Sequence, residues 1–151
     1  LGEADWEVWA AIEGLYQSGK TKMIGISNVT AGQLTQLCAQ ANIKPMVVQN
    51  RCYAALGWDQ EVRKICQVHG LIYQGFSLLT ANGEVLADPE IRRIAKRLGT
   101  GSAQIIFRFA MQIGMLPLTG TTNQQHMKED LQAEQLTLST EEIQRIETIA
   151  L

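Results

Sequence analysis

The sequence predicts an α/β protein built from consecutive parallel βαβ units. Three observations carry this expectation. Helical periodicities alternate with short apolar runs along the whole chain, the apolar runs read as strands that are apolar on both faces, and no Pro-, Gly- or Ser-rich linker breaks the alternation. The chain has 151 residues, of which 46% are hydrophobic and 19% charged, which suits one globular domain with a sizeable core. A net charge of −2 and the lack of a basic stripe argue against a nucleic-acid partner. No apolar run reaches the roughly 18–20 residues that would span a bilayer.

The elements follow in order. Trp6, Trp9, Ile12 (or Glu13) and Tyr16 recur at helical spacing behind Asp5, the expected N-cap, and Gly19 ends that helix. Residues 22–27 are apolar enough for a buried strand. Asn28 and Val29 turn, and Thr30 caps a helix over 31–41 that carries Leu34, Leu37 and Cys38 on one face. Pro45 punctuates, and Met46, Val47 and Val48 form a second strand ending at Gln49. Residues 50–58 read as a loop. Asp59 then caps a helix to His69 with Val62, Ile65 and Cys66 inward, and Gly70 stops it. A third strand covers 71–76, followed by a long loop over 77–88 that contains Asn82-Gly83. Pro89 suits the first position of a helix ending at Leu98. A second helix covers 102–113, and Gly114 precedes a fourth strand at 115–118. A short helix at 124–131 follows, and Ser139 with Glu142 forms a capping box for a last helix ending near Ala150. The expected order is α-βα-βα-βαα-βαα.

Two architectures fit this order: a small doubly wound sheet, or a piece of a (β/α)₈ barrel. No Gly-x-Gly-x-x-Gly turn follows any strand, which weakens the first. The stretch from Gly14 to Thr21 matches a phosphate-loop expression by letter, but it leads from a helix into a strand. A phosphate loop runs the other way, so its amides would face away from a ligand. Cys38, Cys52 and Cys66 form no metal-ligand spacing and read as buried thiols of a reducing cytoplasm. No signal-peptide pattern opens the chain.

Polar residues gather just after the strand ends: Ser27 and Asn28, then Gln49, then Ser77, then Thr121, Thr122 and Asn123. In parallel α/β proteins the C-terminal strand ends form the ligand face. Ser, Asn and Gln are neutral donors and acceptors suited to an amide or hydroxyl, and a Gly-Thr-Thr turn before a helix suits a phosphate. The same residues also fit a role as turn formers and helix caps.

Four segments carry a family resemblance. GKTKMIGISN (19–28), IKPMVVQN (43–50), GFSLL (75–79) and PLTGTTNQQHMKEDL (117–131) resemble, in order and spacing, segments of the aldo-keto reductases, notably of bacterial type. The resemblance runs from about Trp6 to the end. It implies an α/β fold made of four βα units of a (β/α)₈ TIM barrel, strands 5–8, plus the terminal helix. Residues 1–151 would be a single C-terminal half-barrel segment, with the N-terminal half absent. A first residue of Leu rather than Met fits a segment of a longer protein.

The resemblance also implies a nicotinamide dinucleotide, NADP(H), with NAD(H) left open. Ser27, Asn28 and Gln49 would hydrogen-bond the carboxamide. Phe76, in place of the family's usual Tyr, would stack on the nicotinamide ring. Ser77 and Leu79 would lie along the pyrophosphate, with Leu78 replacing the customary Pro. Thr121 and Thr122 would meet the adenosine 2′-phosphate. His126 stands at the usual Arg position, and Gly120 at one often held by a cation. Glu129 and Asp130 replace the pair that faces adenine. No metal is implied.

The family reduces carbonyls with a Tyr, Lys, Asp and His drawn from the first half of the barrel. Tyr16, Tyr53, Tyr73, His69 and His126 match none of those positions, so no catalytic residue is assigned. The complete protein would be a cytoplasmic oxidoreductase, and the isolated chain catalytically incompetent. Open sheet edges and an apolar inner face would drive binding to the missing half or self-association. The alternative is a stand-alone, non-catalytic half-barrel that binds a dinucleotide or a protein partner, or self-associates.

Overall fold

Four short strands line up in chain order in one parallel sheet, β1 (Gly25–Ser27), β2 (Val47–Arg51), β3 (Ile72–Phe76) and β4 (Met115–Pro117), in a computed structural model that describes residues 1–151. Eight helices accompany them: α1 (Glu3–Gln17), α2 (Ala31–Gln40), α3 (Gln60–His69), α4 (Gly83–Ala87), α5 (Pro89–Leu98), α6 (Ser102–Gln112), α7 (Gln124–Gln132) and α8 (Thr140–Thr148). Short 3₁₀ stretches occupy Ala54–Asp59 and Ala133–Gln135. By contacts the chain divides into two units, Leu1–Asn50 with Gln60–Gln74, and Arg51–Asp59 with Gly75–Leu151. No helix is long and apolar enough to cross a membrane.

The first unit contains α1, β1, α2, α3 and most of β2 and β3. Its core gathers Trp9, Ile24 and Leu37, with Trp6, Ile12, Tyr16, Ile26 and Ile43 packed around them. The helical spacing of the tryptophans does place them on one α1 face, but the cap differs from expectation. The helix begins at Glu3, and Asp5 is its third residue, where Oδ2 accepts from the Gly2 N–H at 2.8 Å. Asp is favoured in the first turn as well as at the cap, because the same unpaired amides attract it. Two buried groups tie α1 to the loop before β2. Trp9 Nε1 donates to the Ile43 carbonyl at 3.2 Å, and Glu13 Oε1 accepts from the Ile43 N–H at 2.8 Å. Thr30 caps α2 as expected, its hydroxyl accepting from Gln33 N–H while Gln33 Oε1 accepts from Thr30 N–H. No cysteine is in a disulfide and all three are buried, and burial pushes the Cys38 thiol up against a smaller opposing pull from Lys44.

The second unit is built on α6, which carries Ile105, Ile106, Phe107, Phe109 and Ala110 into the core. Trp58 is fully buried against Phe109, with ring centroids 5.0 Å apart, and its Nε1 donates to the Ile146 carbonyl of α8 at 2.9 Å. The stretch read as a loop over 50–58 is instead the end of β2 and a tight 3₁₀ turn in which Gly57, Trp58 and Asp59 are all left-handed. The long loop after β3 contains α4, which no helical periodicity announces in five residues. Pro89 does sit at the start of α5, behind Asp88, whose carboxylate accepts from Glu90 N–H at 2.7 Å. Ser139 and Glu142 form the expected capping box of α8.

Strand boundaries are narrower at β1 and β4 and extend further at β2 than the apolar runs suggested. The larger correction concerns their faces: the strands are not buried on both. Val48, Asn50, Tyr73, Gly75 and Met115 are buried, while Gly25, Ser27, Arg51, Ile72 and Leu116 are exposed. Side chains alternate along a strand, so one face packs under the helices and the other remains open.

Candidate functional site

Within the first unit, the three residues expected to hold an amide lie at the C-terminal ends of β1 and β2. Ser27 is in register with Gln49, and the Asn28 N–H extends the ladder by donating to the Gln49 carbonyl at 3.0 Å. Ser27 and Asn28 line a cleft of about 330 Å³ together with Asp5, Val8, Gly25 and Gln33. Gln49 instead turns to the neighbouring strand, where its Nε2 donates to Gln74 Oε1 at 3.0 Å.

Asn28 has φ = 53°, in the left-handed region, which asparagine adopts more readily than other non-glycine residues. The surroundings hold it there. The buried Asn50 side chain grips the next residue by both backbone groups, Oδ1 accepting from Val29 N–H at 3.0 Å and Nδ2 donating to the Val29 carbonyl at 2.7 Å. A left-handed residue held by surrounding bonds recurs at ligand-binding turns.

Within the second unit, Phe76, Ser77 and Leu79 line a groove of about 320 Å³ with Phe107, Leu118, Thr119 and Gly120. A second groove of about 410 Å³ shares Phe107, Thr119 and Gly120 and continues past Thr121 to Met127, Asp130 and Leu131. The loop after β3 and the turn after β4 therefore border one extended depression. Ser77, like Asn28, is the first residue after its strand and is left-handed, with φ = 57°. Its loop is pinned by the buried Asn82, whose Oδ1 accepts from Ala54 N–H at 2.7 Å and whose Nδ2 donates to the carbonyls of Cys52 and Leu78 at 3.0 and 2.8 Å.

The turn before α7 spends much of its polarity on itself. Thr121 Oγ1 accepts from Asn123 N–H at 3.1 Å, and Asn123 Oδ1 caps α7 by accepting from Gln125 and His126 N–H. Thr122 and His126 are exposed. Asp130 accepts from Thr119 Oγ1 at 3.0 Å and from Gln104 Nε2 at 3.2 Å, and Glu129 accepts from Gln125 Nε2 at 2.9 Å. No lysine or arginine occurs from residue 120 to 127, and the charge of a histidine is not permanent. No group of three His, Cys, Asp or Glu side chains is placed to hold a metal ion.

Three residues with structural claims on this face escaped the sequence reading: Gln74, Asn50 and Asn82. The period of two places Gln74 on the same face as Phe76, which is a usable signal. Asn82 resembled half of an Asn-Gly turn, and nothing local distinguishes a buried clamp from an exposed turn. Of the tyrosines, Tyr16 is in α1, Tyr73 is buried in β3, and Tyr53 lies under the Arg51 guanidinium at 5.2 Å.

Comparison with known proteins agrees with this architecture. The model of the aldo/keto reductase family matches residues 4–151. The chain is 36% identical over 149 residues to 7-acetyl-epi-neemfruitin B aldo-keto reductase of Melia azedarach, covering 94% of this chain and 46% of that one. It is 32% identical over 143 residues to the uncharacterized oxidoreductase YtbE of Bacillus subtilis (strain 168), covering 95% and 50%. The chain thus spans about half the length of the curated relatives it matches. The apo crystal structure of Gox0644 superposes with a TM-score of 0.87 at 26% identity, covering 96% of this chain and 53% of that one. The aldo-keto reductase AKR2E5, solved in complex with NADPH, shares the fold with a TM-score of 0.86 at 20% identity, covering 96% and 47%. Matched over nearly all of its residues, the chain belongs to the aldo/keto reductase family.

Proposed function

We propose that this chain is the C-terminal, cofactor-binding half of an NAD(P)H-dependent carbonyl reductase, comprising strands 5–8 of a (β/α)₈ barrel with the terminal helix, as one segment over residues 1–151. The observation that carries this reading is the extended depression bordered by Phe76, Ser77, Leu79, Gly120 and Thr121, which suits a dinucleotide lying along successive strand ends. When bound, the nicotinamide supplies a hydride to a carbonyl carbon. The residues of this chain hold and orient that group. Ser27, Asn28 and Gln49 offer neutral hydrogen bonds to a carboxamide, Phe76 a ring face, and Ser77 and Leu79 the passage of the pyrophosphate. Thr121, Thr122 and His126 lie toward the adenosine phosphate, and Glu129 and Asp130 toward adenine. Family membership favours NADP(H). The absence of Lys and Arg from residue 120 to 127 makes NAD(H) the necessary competitor in any binding test.

Neither groove is lined by a tyrosine, lysine or histidine that could give a proton to a substrate oxygen. In this reading the proton donor for carbonyl reduction comes from four further βα units, in the same polypeptide or another. A second reading, a non-catalytic half-barrel that self-associates, draws on the open strand face with Ile72 and Leu116 exposed. Three buried cysteines outside any disulfide support a reducing, cytoplasmic setting.

Titration of the chain with NADPH and NADH, followed by tryptophan fluorescence, tests the first reading. Saturation well below millimolar, weakened by Gln49→Ala, supports it, and affinity no better than millimolar rejects it. Aldehyde-dependent NADPH oxidation by the chain alone, abolished by Gln49→Ala, overturns the claim of incompetence. Sedimentation as a folded monomer at micromolar concentration overturns self-association.

A further inference from the structure

Three strands of the first unit place a polar row on their open face. Ser27 of β1 is in register with Gln49 of β2, and Gln49 Nε2 donates to Gln74 Oε1 of β3 at 3.0 Å. Gly25 and Val47 pair two residues earlier, and the Ile72 N–H donates to the Met46 carbonyl at 2.9 Å. With a side-chain period of two, a row of hydroxyl, amide and amide sits one step beyond the row of Gly25, Val47 and Ile72. Gln49 and Gln74 are half-buried, and Ser27 is exposed.

The two ends of a glutamine amide are nearly equal in size and opposite in hydrogen-bonding character. A glutamine in water rotates to suit either a donor or an acceptor. Gln49 cannot do so independently while Gln74 keeps its orientation. Rotating it alone would set its Oε1 against Gln74 Oε1, exchanging a hydrogen bond for a contact between two acceptors.

We propose that Gln74 is a positioning residue that sets the Gln49 amide, presenting Gln49 Oε1 as an acceptor, so that this site selects a planar primary carboxamide over the nearly isosteric carboxylate. The inference rests on the proposed role of Gln49 in holding a nicotinamide, and it adds the residue that orients it and the selectivity that follows. A carboxamide brings N–H donors to Gln49 Oε1, whereas a carboxylate brings only acceptors and would face the oxygen unpaired.

The test uses the full chain with two probes, nicotinamide mononucleotide and nicotinic acid mononucleotide, and a series at position 74. Wild type is expected to favour the carboxamide by about tenfold, the order of one hydrogen bond kept against one left unmade. Gln74→Glu retains an acceptor and should retain the preference. Gln74→Met offers no partner and should reduce the preference to about threefold or less. Gln74→Lys offers only donors, should draw Gln49 Oε1 toward itself, and should reverse the order of the probes. A Gln74→Lys or Gln74→Met chain with the wild-type preference overturns the proposal. A second readout does not need a ligand: the side-chain amide protons of Gln49 in nitrogen-15 spectra. Slow exchange shared by wild type and Gln74→Glu and lost in Gln74→Met supports the positioning role. Signals unmoved by Gln74→Met overturn it. Binding of neither probe with those spectral changes present would reject the cofactor reading and leave the pairing of the glutamines established.

Discussion

Asn82→Ala should destabilise the second unit by about 3–4 kcal/mol, a loss far larger than its place in a loop after β3 suggests. Asn82 is 5% exposed and its side chain makes three hydrogen bonds, all to backbone groups. Truncation leaves the Ala54 N–H without its acceptor, and a buried unpaired donor costs about 1–3 kcal/mol. The carbonyls of Cys52 and Leu78 each lose a donor, at about 0.5–1.5 kcal/mol apiece because a carbonyl has a second lone pair. A domain of this size has a total stability of about 5–15 kcal/mol. Urea unfolding followed by fluorescence measures the change directly. With a slope near 2 kcal/mol per molar, the midpoint should fall by about 1.5–2 M. Asn82→Asp separates the contributions. Its carboxylate keeps an acceptor for Ala54 N–H but faces two carbonyl oxygens, so the loss should remain large at neutral pH and shrink when acid protonates it. A midpoint shift equivalent to less than about 1 kcal/mol for Asn82→Ala would refute the reasoning, because three bonds to a buried amide cannot be so weak unless water replaces them.

Two glycine substitutions should act with opposite signs. A Cβ on Gly25 would lie 2.5 Å from the Val47 carbonyl oxygen, forcing β1 from β2 at a cost of about 1–3 kcal/mol. A Cβ on Gly14, inside α1, meets nothing within 4 Å, so Gly14→Ala should stabilise by about 0.5–1 kcal/mol. Thermal unfolding of both variants, with equal or reversed shifts counting against the argument, decides this pair. The Glu90 carboxyl is held below the usual glutamate range, first by its hydrogen bond from Arg93 and then by the charges of Arg93 and Arg145. A lowered folded-state value contributes stability that is complete above the ordinary range and is lost as pH falls through the lowered one. Glu90→Gln should flatten the acid side of the stability profile, and an unchanged acid slope in urea titrations would contradict it.

The alternation of helices and strands was legible because it rests on local patterns. The α1 tryptophans, the Leu34–Leu37–Cys38 face of α2, the Pro89 start of α5 and the caps at Thr30 and Ser139 each involve residues a few positions apart. Such signals survive in a bare sequence because helix periodicity and capping require no distant partner. The misread stretches were those whose conformation depends on remote groups. The turn of Gly57, Trp58 and Asp59 is left-handed while Trp58 is buried against Phe109 and bonded to Ile146, 88 residues away. Strand burial was overread for a similar reason. An apolar run such as Met23-Ile24 is compatible with either one or two covered faces, and only the placement of the helices decides which. Met23 is 44% exposed and Ile24 is 5% exposed.

The candidate site divides along the same line. Residue type and order determined the family motifs, the strand ends that carry Ser27, Asn28, Gln49, Phe76 and Ser77, and the shortage of cations around Thr121 and His126. Tertiary structure decided how those residues are held. Asn50 reaches 21 residues to Val29, Gln49 reaches 25 to Gln74, and Asn82 reaches 28 to Ala54. Each of these bonds forms only after a loop has closed, and for Asn50 and Gln49, which lie in β2, a slip of one residue would turn the side chain to the opposite face. Local pattern specifies which elements form and in what order. The register between them specifies which amide meets which.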